Sequence, residues 1–328
     1  MIEHRIGVSR RAQAIHTWSR VAVRPVLKYY PLGGPTAGMR PLLELGCAAI
    51  PRLGGTAHQS VAGRTWRGEL VTPLDGPTSE GAVLYLHGGG FMMGGCATHR
   101  RIVGRLALET GMAVLSVDYR LLPQGRLHDS ISDCEDAFRW LLGHGHPASK
   151  VAIVGDSAGG HLAFAVALKI RDDRLGTPAG IVAMSPWLDF DHMTKVRHHN
   201  ARRDAYIPSR RLRAVGRMVV GARPELHHSP VNADLRGLPP SLIICGEGEV
   251  LRVDAELMAD RLAEAGVPST LQIWEGQIHA FPVLADLTPE SRAAVGEVAR
   301  FVAQAVAAPA YTGRDSAVPD NVSRIGVA

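Results

Sequence analysis

Cysteine is scarce in this chain of 328 residues, and Cys47, Cys96, Cys134 and Cys245 are widely scattered. No CxxC pair occurs, which argues against a zinc cluster. Cys134 and Cys245 lie in apolar segments and read as core residues, and the usage as a whole fits a reduced, cytosolic protein. Long hydrophobic runs are missing too: none approaches the roughly 18 apolar residues of a membrane span. The opening "MIEHRIGVSRRAQAI" carries charge but no following apolar region and no small-residue cleavage site, so no secretory signal is expected. Aromatic residues are only 5% of the chain and are not interleaved with the basic ones, and no nucleic-acid-binding motif is present, so no nucleic-acid partner is expected. Acidic residues are nearly absent from Met1 to Arg40, where seven Lys or Arg face a single Glu3. Ile15, Trp18, Val21 and Ala22 recur there at helical spacing. Such a basic amphipathic helix either touches a membrane surface or packs on the body of the protein with its basic face in water.

Apolar residues, at 46%, are ample for a large core. Residues 1–55 read as helical, broken at Pro25, Pro31 and Pro35. From about Ser60 short strands begin with "TWRGELVTP". Continuously apolar runs then alternate with amphipathic segments: "AVLYL", the helix "THRRIVGRLALETG" stopped by Gly111, "AVLSVDY", a helix capped by Asp129 or Ser130, "KVAIVG", the helix "AGGHLAFAVALKIRD", "GIVAMSPW", "PSLIICG", a helix with Asp254 as its cap, "TLQIWEG", and a last helix. This alternation predicts an α/β fold, a mostly parallel sheet flanked by helices on both faces. Residues 189–236, rich in Arg and His, break the pattern and read as an insertion above the sheet within a main domain spanning 56–308. Residues 309–328 read as a flexible tail.

Two motifs carry the chemistry. Gly155-Asp156-Ser157-Ala158-Gly159 fits G-x-S-x-G between a strand and a helix, the context that thrusts a serine nucleophile out of a tight turn. The helix that follows favours developing negative charge at its N-terminus. Asp156 reads as structural. Upstream, "LHGGGF" ends a core strand in three costly glycines. Attack by Ser157 on an ester would create an oxyanion needing two or three N–H donors aimed at one point. The expected donors are the amides of Gly89, Gly90 and Ala158, with Gly88 supporting the loop and His87 anchoring it by hydrogen bonding. No GxGxxG or P-loop lysine accompanies the glycines, which lowers a phosphate-binding reading.

With "HGGGF" ahead of "GDSAGG", and with "SVDYRLLP", "MSPWLDF", "LPPSLIICGEGEVL" and "GQIHAF", the chain resembles the hormone-sensitive-lipase-like branch of the α/β-hydrolases from about Ala82 to Phe281. The resemblance implies carboxylic ester hydrolysis on short to medium acyl chains without metal or organic cofactor. It also implies a helical cap built from the N-terminal segment, 1–55, and the insertion. "LLPQGRLHDS" departs from the branch's proline-rich continuation. The base is then expected after the last strand, at His279 in "WEGQIHAF", following the order serine, acid, histidine. Glu247, Glu249 and Asp254 are candidate acids; alignment of Gly246 and Leu251 with the branch's G-x-x-D-P-L places the acid at Glu249, a glutamate where that pattern has aspartate. His198, His199, His227 and His228 form adjacent pairs without the carboxylate or Cys spacing of a metal site. Met92, Met93, Trp187 and Phe190 are candidates for the acyl pocket or for plain core packing. Alternatives are a lipase on longer acyl chains, an amidase or deacetylase with the same triad, and a ligand receptor on the same scaffold. A homodimer and contact of the basic N-terminus with a membrane are further partner expectations.

Overall fold

The computed structural model describes residues 1–29, 46–47, 49, 51–221 and 228–311. From the N-terminus, β1 (Ile2–Arg5) leads to α1 (Arg10–Trp18), a π-helical turn at Ser19–Val23 and α2 (Arg24–Tyr29). Then come β2 (Thr56–Ala62), β3 (Arg67–Pro73), β4 (Ala82–Leu86), α3 (Cys96–Thr110), β5 (Ala113–Asp118), α4 (Leu127–Gly143), β6 (Val151–Asp156), α5 (Ala158–Asp172) and β7 (Gly180–Met184). The insertion contributes α6 (His192–Arg197) and α7 (Ser209–Val220); β8 (Ser241–Gly246), α8 (Arg252–Glu264), β9 (Ser269–Trp274) and α9 (Pro289–Ala307) complete the described chain.

The strands form one sheet in the order β1-β9-β8-β7-β6-β4-β5-β3-β2. All neighbouring pairs are parallel except β2 with β3 and β3 with β5. The apolar runs follow from double burial. Ala82, Leu84 and Leu86 of β4 pack in one cluster with α4, α5 and α8, while Val83 and Tyr85 point into another with α3 and α9. Each Leu or Val so removed from water contributes about 1.5–3 kcal/mol. The C-terminal ends of β4, β6, β7, β8 and β9 therefore share one rim, where ligands bind in sheets of this kind.

Several expectations are corrected. Ile2–Arg5 is a strand, not part of a helix: it pairs parallel to β9 from Ile2 opposite Leu271 to Arg5 opposite Trp274. Four residues at a sheet edge carry too little periodicity to be read from sequence. Pro25 does not break the N-terminal helix. In the π turn just before it, the Arg24 N–H donates to Ser19 O, five residues back, and the widened turn makes room for the proline ring. Pro31 and Pro35 lie outside the described residues, as does the expected tail from residue 312 onward. Neither Asp129 nor Ser130 holds the N-cap position of α4, which is Arg126; Asp129, in the first turn, caps from inside the helix by accepting from the Arg126 N–H at 2.9 Å. Asp254 likewise lies inside α8, which starts after Leu251. Among the described residues, no helix is long and apolar enough to cross a membrane.

Candidate active site

The turn from β6 into α5 is built by backbone crowding. A Cβ on Gly155 would meet the carbonyl of Gly159, and one on Gly159 would meet those of Leu86 and His87. With both positions bare, the chain reverses tightly and Ser157 takes φ 53°, ψ −114°, a strained conformation for a residue with a side chain. Its amide donates to Met184 O at 2.8 Å and its carbonyl accepts from Trp187 at 3.1 Å, so the elbow is pinned to β7 as well.

The glycine loop runs beside it. Gly89 has φ 125°, and its carbonyl takes the amides of Met92 and Met93. None of the N–H groups of Gly89, Gly90 and Ala158 donates to an acceptor among the described residues. Asp156, next to the serine, points away from it. It accepts from Tyr85 Oη at 2.9 Å and from the Gly88 N–H at 3.0 Å, and pairs with His99 Nε2 at 3.2 Å. That clamp joins β4, β6 and α3 behind the loop. His87 has its Nδ1 2.8 Å from Gly88 O and stacks on Tyr119, whose hydroxyl donates to His87 O at 2.6 Å.

His279 arrives on the turn after β9. Its Nε2 lies 2.9 Å from Ser157 Oγ and its Nδ1 2.8 Å from Glu249 Oε2. Glu249 is 1% exposed; its other oxygen accepts from Ser185 Oγ at 2.7 Å and from the Gly246 N–H at 2.5 Å. Ser185 Oγ in turn accepts from the Ala280 N–H at 2.9 Å, tying Glu249 to the residue after His279. Burial alone would lower the His279 pKa, but the hydrogen bond and charge of Glu249, with Asp204 and Asp156 farther off, outweigh it and leave the imidazole raised above 6.5. Asp254, the alternative acid, is committed elsewhere. It pairs with Lys195 Nζ at 2.6 Å and accepts from the amides of Leu188 and Asp189.

Around this chain sit residues to which the sequence assigned no role. Asn200 donates to the carbonyls of Glu247 and Glu249, Asp204 accepts from Val250, and the Tyr206 ring lies 5.7 Å from that of His279. All three come from the insertion, whose weak apolar pattern held no signal for them; Ser185 stands in the quoted "MSPWLDF". Of the acyl-pocket candidates, Trp187 and Phe190 are buried and their rings lie 5.0 Å apart, with Phe91 6.3 and 6.2 Å away. His161 closes this cluster: its Nδ1 is 2.8 Å from Trp187 O, and burial pushes its pKa down to about 4, so the ring is neutral. Val215 of α7 bounds the space beside Gly90. Met92 and Met93 are half-buried at the start of the next turn.

Among the described residues, no three His, Cys, Asp or Glu side chains are grouped to hold a metal ion. His198 and His199 have ring centroids 4.1 Å apart, and burial lowers the pKa of His198. His227 lies outside the described residues.

Residues 83–283 match a family model described as the alpha/beta hydrolase fold. The chain is 35% identical over 302 residues to Esterase LipU of Mycobacterium tuberculosis, covering 87% of this chain and 99% of that protein. It is 35% identical over 301 residues to Carboxylesterase/phospholipase LipF of the same organism, covering 88% and 80%. Among solved structures, an esterase from the bacterial hormone-sensitive lipase family superposes with a TM-score of 0.82 at 29% identity, covering 92% of this chain and all of that one. With a parallel sheet bearing a serine elbow on β6 and a glycine loop on β4, the chain belongs to the α/β-hydrolase fold family, among its hormone-sensitive-lipase-like esterases.

Proposed function

We propose that this esterase cleaves carboxylic esters of short to medium acyl chains through a covalent acyl-enzyme on Ser157. His279 takes the serine proton as the oxygen attacks the ester carbonyl. The amides of Gly89, Gly90 and Ala158 hold the oxyanion; Glu249 orients the ring and stabilises its cationic form. The collapsing intermediate expels the alcohol, which receives the proton from His279, and water, activated by the same base, then releases the acid. No step calls for a metal or an organic cofactor. The observation that carries the reading is the unbroken contact chain from Ser157 Oγ through His279 to Glu249, at 2.9 and 2.8 Å.

The acyl preference is supported by the Phe91, Trp187 and Phe190 rings, which pack together beside the glycine loop with centroids 5.0 to 6.3 Å apart. In the same reading, the N-terminal helix and the 189–236 insertion form the cap. His16 and Arg20 of the first meet His199, Asn200 and Arg203 of the second across a cleft that also borders Glu247 and Gln277. The four free cysteines support a reducing compartment. The test is a panel of p-nitrophenyl esters from acetate to laurate, together with labelling by an organophosphate. The expected result is one label per chain, on Ser157, and a rate maximum at or below the medium-length esters. No label, or a label elsewhere, would sink the mechanism, and a maximum at laurate the acyl preference.

A second reading is favoured by one observation. Trp18, Val21, Val26 and Tyr29 are exposed at 60%, 68%, 61% and 74%, beside the basic Arg24 and Lys28. Aromatic and basic residues on one helix suit a membrane–water boundary, where the enzyme would act on lipid esters. Co-sedimentation with anionic vesicles at low and high salt tests it, and equal partition with neutral vesicles would remove it.

A further inference from the structure

Asn200 and Asp204 belong neither to the triad nor to the glycine loop, yet they are 1% and 2% exposed and both reach the loop that carries the acid. We infer that the insertion segment Asn200–Asp204 positions Glu249, by holding the main chain of the 246–250 loop in the one placement that sets its carboxylate on His279. The inference rests on the triad reading above and extends it to residues the chain supplies from its cap.

The 246–250 loop has little internal scaffolding. Glu247 N donates to Trp274 O at 2.8 Å, and Glu249 N reaches Gly246 O only at 3.3 Å. Arg252 of the following helix also reaches it, its N–H 3.3 Å from Glu249 O and its Nη1 3.5 Å from Glu247 O, but the shorter bonds to these carbonyls come from the insertion. The Asn200 amide nitrogen donates to Glu247 O at 2.7 Å and to Glu249 O at 2.9 Å. Asp204 Oδ2 accepts from the Val250 N–H at 2.8 Å. Peptide groups before and after Glu249 are thus gripped from one side, by side chains only four residues apart. Asp204 is itself locked, since its Oδ1 accepts from the amides of Tyr206 and Ile207 at 2.7 and 2.8 Å.

The acid here is a glutamate, and that makes such a grip consequential. Glutamate carries one more rotatable bond than aspartate and loses more side-chain freedom when ordered. An error in the loop main chain is passed through that longer arm to the imidazole, and a misplacement of about 1 Å can cost about 100-fold in rate. Ser185 and Gly246 hold the carboxylate at its tip; Asn200 and Asp204 hold it at its root.

Asp204 adds a charge as well as a hydrogen bond. Burial pushes its pKa up to about 6, against the amides of Val250 and Tyr206 that lower it, so it is ionised at neutral pH. The titratable groups facing it are Glu249 from the β8–α8 loop, His279 from the turn after β9 and Tyr206 from its own segment. Around His279 stand Glu249, Asp204 and Asp156, all favouring the protonated ring.

The experiment measures kcat, KM and the pH profile on p-nitrophenyl butyrate for Asn200→Ala, Asp204→Asn, Glu249→Gln and the double variant Asn200→Ala/Glu249→Gln, with thermal melts for each and Ser157→Ala as control. Asn200→Ala is expected to lower kcat by about 10- to 100-fold with KM within about twofold. In the Glu249→Gln background the same change is expected to cost less than about threefold, because the group it positions is already gone. Asp204→Asn removes the charge and puts an NH2 group where one oxygen accepts a main-chain N–H, and is expected to move the acid limb of kcat/KM to lower pH. An equal loss from Asn200→Ala in both backgrounds would mean a general structural role and overturn the inference. So would wild-type kcat in folded Asn200→Ala, or an unmoved acid limb in folded Asp204→Asn. Turnover retained by Ser157→Ala would instead strike the triad reading itself.

Discussion

The two sides of the active site are held in place by different physics. The nucleophile side is shaped by steric exclusion: β6 passes into α5 through Ser157, and the tight turn is set by what cannot fit at Gly155 and Gly159, against the carbonyls of Gly159, Leu86 and His87. The acid side is made by strangers in sequence. Glu249 depends on Ser185, on Asn200 and Asp204, and on a buried ion pair, Lys195 with Asp254, that staples the insertion to α8. Steric exclusion by packed main chain is stiff; polar clamps are adaptable but fail when one member is lost. The site therefore sets a sterically fixed Ser157 against a Glu249 whose main chain is bonded by side chains of the insertion.

The largest effect should come from the rigid side. Ser157→Ala is expected to lower kcat by roughly a million-fold with the fold intact; steady-state rates on p-nitrophenyl butyrate together with a melting curve check it. If activity survives, the elbow is not the nucleophile's seat and the contrast collapses.

On the clamped side, Lys195→Met is expected to destabilise the protein by about 3–5 kcal/mol at pH 7, since it strands a buried carboxylate. Burial already raises the Asp254 pKa to about 6 despite Lys195. A group whose folded pKa lies above its unfolded one weakens the fold as pH rises between the two values, and in the variant that folded pKa rises further. The loss should accordingly shrink at pH 5, where the stranded carboxyl takes up a proton. Urea melts at both pH values decide the matter, and an equal loss would mean that the charge is not what holds the insertion down.

The same substitution made on the two sides should have opposite signs. Gly159→Ala places a methyl into the carbonyls of Leu86 and His87 and is expected to cost about 3 kcal/mol or abolish folding. Gly216→Ala on α7 meets Phe190 and Trp187 only at ordinary contact, 3.5 and 3.6 Å, and is expected to stabilise by up to about 1 kcal/mol. Like signs in the two melts would show that helix propensity and steric exclusion had been assigned to the wrong places.

Between these lies the pH dependence of the chemistry. The base must be neutral to take the serine proton, and its pKa is raised above 6.5, so kcat/KM should fall as pH drops through a midpoint above that value. A midpoint below 6.5 would mean that Glu249 does not carry its charge against the ring.

How much of this could be read beforehand differs between the regions for the same reason. Runs such as "AVLYL" and "GIVAM" announce buried parallel strands, because both faces must be apolar. The elbow announces itself because its constraints fall within five consecutive residues. Asn200 and Asp204 had no such signature: a polar side chain that grips a distant main chain leaves no periodicity and no spacing. Ile2–Arg5 escaped for a related reason, since an edge strand is defined by what it pairs with.

By itself, the sequence determined the parallel core of the sheet and its flanking helices, the serine turn and the glycine-rich loop. All of these follow from periodicity and sterics acting over a few neighbouring residues. Only the tertiary structure decided that Asp254 serves Lys195, and that the insertion reaches down to the main chain of Glu249. Those outcomes depend on distances between segments tens of residues apart, which are set when the parts pack.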